Sequence, residues 1–102
     1  MESEYIYHVT TQKEWEDAQK NNEYKPAGYE QEGFIHCSIE RQVAGVLDRF
    51  YKGKTGLVKL KIEIVKVQRP VLFELATDLD ELFPHIYGPL NLDSVVEVID
   101  IN

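Results

Sequence analysis

The stretch GLVKLKIEI, residues 56–64, decides the class of fold because its side chains alternate between apolar and charged. Two lysines and a glutamate separate the apolar positions, which are Val58, Leu60, Ile62 and Ile64. A period of two predicts a strand with one face in a core and the other in solvent. The chain is therefore predicted to contain a half-buried sheet.

Other segments extend this sheet and add two helices. Strands are predicted at EYIYHV (4–9), FIHCS (34–38), RPVLFELA (69–76) and VVEVIDI (95–101). Helical spacing follows in residues 10–22, where Thr11 and Glu14 form a capping-box pattern, and in residues 39–51. Residues 23–33 and 78–94 are predicted to be irregular. Early helices and late strands indicate one α+β domain over residues 1–102, with a mainly antiparallel sheet.

Composition limits the classes of function. The 102 residues carry a formal net charge of -7, which repels phosphate backbones and makes a nucleic-acid partner unexpected. No apolar run approaches the roughly 20 residues of a membrane span, and the start of the chain lacks the basic and apolar regions of a signal peptide. A single cysteine agrees with a reducing compartment, so we expect a cytoplasmic protein.

The stretch EGFIHCS, residues 32–38, contains a histidine next to the lone cysteine. Side chains alternate across a strand, so Phe34, His36 and Ser38 share one face while Cys37 lies on the other. A Cys-His nucleophile pair is therefore not expected, since the imidazole and the thiol point apart. Cys37 is predicted to be a small buried hydrophobe.

His36 and Ser38 allow two interpretations at the predicted end of a strand. Ser38 caps the next helix and His36 bonds a carbonyl in the core, or the two residues hold an anion at the helix N-terminus. A second stretch, FPHIYG (83–88), favours a site because an extended chain places His85 and Tyr87 on one face. Histidine and tyrosine suit polar aromatic ligands such as a nucleobase or nicotinamide.

The remaining candidates are a third histidine and an acidic residue. His8, in YHVT, ends the first predicted strand. Three histidines would suffice in number for an open zinc site, but their spacing gives no support for one, so no metal is expected. Glu74 has apolar neighbours that we expect to be buried, and an enclosed carboxylate would need a partner.

These motifs together carry a resemblance over nearly the whole chain. The combination of EGFIH-x-S (32–38), Gln42-Val43 and FPH-x-YG (83–88) resembles domain-of-unknown-function family 952. That resemblance implies no established reaction.

A more distant resemblance is to the ADP-ribosyltransferase-like fold, especially its RNA 2′-phosphotransferase branch. The order YHVT, helix, loop, FIHCS, helix and LVKLKI strand is similar to the front half of that fold. It implies a split antiparallel sheet whose cleft receives NAD or an ADP-ribose-containing ligand. By position, His8 and Thr10 match one ligand-contacting motif of that branch, and His36 and Ser38 match the other.

The resemblance also implies roles for individual residues. His36 would bond a ribose hydroxyl or phosphate, Ser38 would hold the pyrophosphate and Tyr87 would stack on the ring. His36, His85 and Glu74 are expected to act in catalysis, with Glu97 as the other candidate glutamate. Two departures are Val9, where the related motif has glycine, and the lack of a basic cluster, which argues against an RNA substrate.

Three functions follow as hypotheses. The first is NAD or ADP-ribose binding with transfer of ADP-ribose to an acceptor. The second is a non-catalytic ligand-binding or protein-interaction domain on the same scaffold. The third is a metal-assisted hydrolase built on the three histidines.

Overall fold

The alternating stretch becomes the middle strand of an antiparallel sheet in the computed structural model, which describes residues 4–76 and 78–101. This first sheet has the order β1-β3-β6, with β1 at Tyr5–Thr11, β3 at Leu57–Glu63 and β6 at Val95–Asp100. Leu60 pairs with His8 on one side and with Val98 on the other. The apolar residues of β3 are buried, as their period of two predicts.

Two helices of at least two turns pack against the first sheet. Helix α1 spans Gln12–Asn21 and begins at Thr11, whose hydroxyl accepts a hydrogen bond from the Glu14 amide. Helix α2, Tyr29–Glu32, is a single turn within the segment predicted to be a loop. Helix α3, Val43–Phe50, packs Val43 and Leu47 against the β1 face that carries Tyr7 and Val9. Short 3-10 helices lie at Glu40–Gln42, Ile64–Lys66 and Leu92–Ser94.

The second sheet has the order β2-β5-β4, with β2 at Ile35–His36, β4 at Val71–Ala76 and β5 at Glu81–Ile86. The prediction that residues 78–94 are irregular is wrong for β5, which contains Pro84. The Pro84 carbonyl accepts from the Cys37 amide at 2.9 Å, so the proline nitrogen faces the same neighbour. Proline has no N–H, so the reciprocal bond to the Cys37 carbonyl cannot form, and β2 ends at His36, one residue earlier.

The two sheets meet where β1 passes the end of β2. Tyr7 and Ser38 exchange two backbone hydrogen bonds, each of 2.7 Å. The expectation of a small α+β domain with antiparallel sheets is confirmed. One main core lies between the sheets and α1, and it includes Ile6, Trp15, Ile35, Leu60 and Ile86. Burial of this apolar surface is the main stabilising contribution to the fold.

Strand β4 forms an edge of the second sheet, and in the described residues it pairs with β5 alone. Four large apolar side chains on β4 and β5 are between 47% and 54% exposed: Leu72, Phe73, Leu75 and Leu82. Strand β4 and the neighbouring part of β5 therefore expose apolar side chains.

Candidate functional site

The short β2–β5 pairing brings two distant histidines together. His36 of β2 lies directly opposite His85 of β5, and their ring centroids are 5.1 Å apart. Residues opposite each other in antiparallel strands point to the same face of the sheet. Both imidazoles therefore belong to one site, as their positions in FIHCS and FPHIYG predicted.

The Phe34 ring packs against both imidazoles and is called the aromatic floor of the site. It stacks on His85 with centroids 4.2 Å apart, and it meets the His36 ring edge-on at 4.7 Å. The Tyr87 ring lies 5.3 Å from Phe34. A ligand ring that enters here would meet a preformed aromatic surface.

Glu74 orients the His85 ring through a hydrogen bond. One carboxylate oxygen accepts hydrogen bonds from His85 Nδ1 at 2.8 Å and from the Tyr87 hydroxyl at 2.5 Å. The hydrogen bonds from Tyr87 and His85 lower the pKa of Glu74. The hydrogen bond between Tyr87 and Glu74 also raises the pKa of Tyr87. Glu74 is therefore an anion at neutral pH and has these two residues as partners. The expectation that its apolar neighbours are buried is wrong, because Phe73 and Leu75 are about half exposed.

The Glu74 bond also fixes the proton of His85. A carboxylate only accepts, so Nδ1 carries the hydrogen and Nε2 of the neutral ring is left as an acceptor. Nε2 makes no hydrogen bond to any residue within 4–76 and 78–101. No buried side-chain nitrogen or oxygen in that part of the chain lacks a partner, so Nε2 must be accessible. His85 is thus arranged to receive a proton.

Glu32 pairs with His36 in the same way. Its carboxylate, at the end of α2, accepts from His36 Nε2, and both side chains remain about half exposed. The sequence interpretation included Glu32 only as part of a motif and assigned it no role. Its place four residues before His36, next to a turn at Gly33, was the available signal. We call the following set the cleft cluster: Glu32, Phe34, His36, Glu74, His85 and Tyr87.

His8 lies in a second, buried polar group. Its Nδ1 donates to the His36 carbonyl at 2.5 Å, so its Nε2 accepts from the Tyr24 hydroxyl at 2.7 Å. Burial lowers the pKa of His8 to about 4, because desolvation penalises the imidazolium. His8 is neutral at pH 7, with both nitrogens engaged, and it fixes the backbone that carries His36.

Thr10 and Glu14 complete this buried group. The Thr10 hydroxyl donates to Glu14, and the same carboxylate accepts from the Ala27 amide at 2.9 Å. The Glu14 side chain therefore tethers the segment before α2 and does not close the predicted capping box on Thr11. We call His8, Thr10, Glu14 and Tyr24 the buried cluster.

Ser38 differs from its cap interpretation. Its amide and carbonyl bond Tyr7, and the following 3-10 helix begins at Ile39, whose amide donates to the Gln42 side chain at 3.0 Å. The expected helix cap at Ser38 is therefore wrong, because the chain there continues the sheet. Gln42 already satisfies the amide at the start of the helical segment.

A cleft of about 1000 Å³ opens beside the cleft cluster, between β1, α2, α3 and the β4–β5 connection. Four expected site residues line it: His8, His36, Ser38 and His85. Thr10, Glu74 and Tyr87 are absent from the lining that the described residues provide. Glu97 lies on β6, the far edge of the first sheet, which removes it from the site. The charged lining residues are Glu14, Glu32, Arg49, Lys54 and Asp78.

Comparison with known proteins identifies the family. The model for a protein of unknown function, DUF952, matches residues 9–98. The chain belongs to the DUF952 family. No curated protein in the comparison matches the chain. The predicted membership is confirmed, while the likeness to the ADP-ribosyltransferase fold stays a prediction.

Solved structures of similar fold come from Caulobacter crescentus. A crystal structure of its protein CC0527 is 26% identical, with a TM-score of 0.87 over 96% of this chain and 86% of that one. A solution NMR structure of CC0527 gives a TM-score of 0.82, covering 96% and 84% of the two chains. The antiparallel α+β architecture therefore recurs in an experimentally determined relative.

Other chemical groups of this DUF952 protein are arranged less favourably for a reaction. Cys37 is buried in the main core, and burial raises the pKa of its thiol, so it is the small hydrophobe that its strand position predicted.

No set of three or more His, Cys, Asp or Glu among the described residues is arranged to hold a metal ion. No helix of the described part of the chain is both long and apolar enough to cross a membrane.

Proposed function

We propose that the cleft binds NAD or an ADP-ribose-containing ligand and that the protein transfers ADP-ribose to an acceptor. The observation that carries the proposal is the pairing of His36 with His85, beside the Phe34 ring, in a cleft of about 1000 Å³. Sites for small molecules and cofactors combine such a volume with an aromatic wall and a few oriented polar groups. The resemblance of YHVT and FIHCS to ligand-contacting motifs adds the class of ligand.

Binding would use the aromatic floor and the two histidines. Phe34 offers a ring face for nicotinamide or a base, beside the Tyr87 ring. His36 Nδ1, which is free to accept while Nε2 donates to Glu32, suits a ribose hydroxyl. His8 would contribute indirectly, because it holds the His36 carbonyl in place.

Transfer would proceed by displacement at C1″ of the ribose. The bond from C1″ to the nicotinamide nitrogen breaks, and nicotinamide leaves as a neutral ring with that electron pair. An acceptor hydroxyl oxygen forms the new bond to C1″, and its proton passes to Nε2 of His85. Glu74 would stabilise the resulting imidazolium through Nδ1, in the manner of other carboxylate-oriented histidine bases. His85 is then the catalytic residue and Glu74 its positioning residue.

The proposal is tested by calorimetric titration with NAD, ADP-ribose, nicotinamide and AMP. His36→Ala and His85→Ala are each expected to weaken NAD or ADP-ribose binding about ten-fold or more. Glu97→Gln, a change at an exposed residue of the first sheet, is the matched control and should bind as wild type does. Unchanged affinity in both histidine variants, with the fold intact by circular dichroism, would overturn the proposal.

A second candidate is a non-catalytic ligand-binding or protein-interaction domain, favoured by the exposed apolar edge at β4 and β5. An enzyme should release nicotinamide from NAD in the presence of a suitable acceptor. A binding module should show only a ligand-dependent rise in melting temperature. The proposal keeps the cytoplasmic location expected from the sequence.

A further inference from the structure

The lining of the cleft contains a guanidinium group that is not part of the cleft cluster. Arg49, near the end of α3, lines the cleft together with Phe50 and Lys54. Within residues 4–76 and 78–101 the Arg49 guanidinium makes no hydrogen bond or ion pair, and its carbon lies 5.8 Å from the centre of the Phe50 ring. An unpaired guanidinium in a concave site is a donor available to an anion.

Glu81, whose pKa the Arg49 charge also affects, forms no ion pair with Arg49, because another arginine occupies its carboxylate. The Glu81 carboxylate accepts from Arg41 at 2.8 Å, and the Gln42 amide lies 3.4 Å from the same oxygen. These two hydrogen bonds lower the pKa of Glu81, with a further contribution from the Arg49 charge acting through space. Glu81 is therefore already satisfied by Arg41, which lies outside the cleft lining.

A glycine within α3 makes room for the Arg49 guanidinium. A Cβ atom at Gly45 would lie 2.9 Å from Arg49 Nη1 and 3.5 Å from both Cζ and Nη2. Glycine inside a helix is unfavourable compared with alanine, and Gly45 has a φ outside the left-handed region, so the backbone does not require it. The space left by the absent side chain is what Gly45 provides.

From these three observations we infer that Arg49, seated over Gly45, is the subsite for a phosphate or diphosphate group of the ligand. The inference deepens the proposed function and rests on it, since the diphosphate of an ADP-ribose ligand is the anion in question. It replaces Ser38 and the helix start as the expected pyrophosphate contact, because Gln42 satisfies the amide there. A local cation is required in any case, since the net charge of -7 opposes anion binding.

The first test is calorimetric titration with inorganic pyrophosphate and with ADP-ribose, at low and at physiological salt. Arg49→Gln should bind both about ten-fold more weakly, and wild-type affinity should fall as salt rises. Lys20→Gln removes one positive charge at an exposed position of α1, outside the cleft lining, and is the matched control, which should bind as wild type does. Equal effects of Arg49→Gln and Lys20→Gln, or no binding of pyrophosphate by wild type, would overturn the inference.

Gly45→Ala separates a positioning role from a merely structural one. The new methyl group would displace the guanidinium, so pyrophosphate binding should weaken several-fold while helix stability is kept or improved. Wild-type affinity in Gly45→Ala would contradict the role given to this glycine.

The outcomes also distinguish this inference from the proposed function. Pyrophosphate binding that depends on Arg49, without any NAD or ADP-ribose binding, would support the subsite and reject the proposed function. ADP-ribose binding that depends on His36 and His85 but not on Arg49 would support the function and reject the subsite.

Discussion

The buried cluster and the cleft cluster contain the same kinds of residue in different surroundings. Each combines histidine, tyrosine and glutamate in a hydrogen-bonded group. In the buried cluster both nitrogens of His8 are engaged and its pKa is lowered to about 4. In the cleft cluster His85 has one nitrogen fixed by Glu74 and the other accessible. Burial gives His8 a structural role, whereas partial exposure leaves Nε2 of His85 accessible as a hydrogen-bond acceptor.

The pH dependence of stability tests the buried half of this comparison and has the largest expected effect. The ordinary pKa of His8 is 6.5, and in the folded chain it is about 4. The unfolded chain therefore binds more protons between these values, and stability falls as the pH is lowered. Wild type should lose about 3 kcal/mol of unfolding free energy between pH 6.5 and pH 4, measured by urea denaturation.

The matched variant for this prediction is His8→Gln, which cannot titrate. It should be less stable at pH 7, but its unfolding free energy should be nearly constant between pH 6.5 and pH 5, a range above the ordinary pKa of the carboxyl groups. Equal stability of wild type at pH 7 and pH 5 would show that His8 is not buried as a neutral ring.

Removing the Tyr24 hydroxyl is the next largest change. Tyr24→Phe leaves Nε2 of His8 buried without its donor, so the unfolding free energy at pH 7 should fall by about 2 kcal/mol. Urea denaturation measures this loss. A change below about 0.5 kcal/mol would mean that water replaces the hydroxyl and that the cluster is more open than its burial indicates.

The equivalent change in the cleft cluster is Tyr87→Phe, and it should affect function more than stability. It removes one hydrogen bond to Glu74 while leaving the bond to His85 Nδ1. Stability should stay near that of wild type, because these groups reach solvent, while nicotinamide release in the proposed reaction should slow several-fold. A large loss of stability in Tyr87→Phe would erase the distinction between the two clusters.

The smallest effect is expected at the Glu32–His36 pair, where both side chains are about half exposed. Exposed pairs contribute little to folding, so Glu32→Gln should change the unfolding free energy by less than about 0.5 kcal/mol. The same variant should weaken the proposed ADP-ribose binding, because it loosens the orientation of His36. A stability loss comparable with that of Tyr24→Phe would assign this pair to the fold.

The sequence predicted most of the scaffold because local patterns determine it. Alternation in residues 56–64 and the Thr11 cap correspond to β3 and to the start of α1. Strand β5 was missed because a proline in a middle strand is acceptable only where the neighbouring strand ends, which is a long-range fact. The pairing of Ser38 with Tyr7, also a long-range contact, is why the predicted helix cap at Ser38 is wrong.

The site was predicted only in part, because local patterns indicate strands but not how those strands align. His36, His85 and Glu74 come together through strand register, which alternation within each strand suggested but could not align. The separation of His8 from them was not predictable, because its role depends on burial beside Tyr24. Glu32 was missed because the short helix α2 places it beside the cleft. Arg49 was missed because its position depends on the space that the absent side chain of Gly45 leaves.

The position of Glu74 on the edge strand β4 gives its charge a second role. Glu74 is the only charged residue in the sequence VLFELA of that strand, amid leucines and a phenylalanine that are about half exposed. Charges on open sheet edges oppose pairing with another chain, which is the first step of aggregation. A neutral residue at this position would remove the orientation of His85 and also leave the edge without its charge. Insolubility of such a variant would therefore report on the edge and not on catalysis.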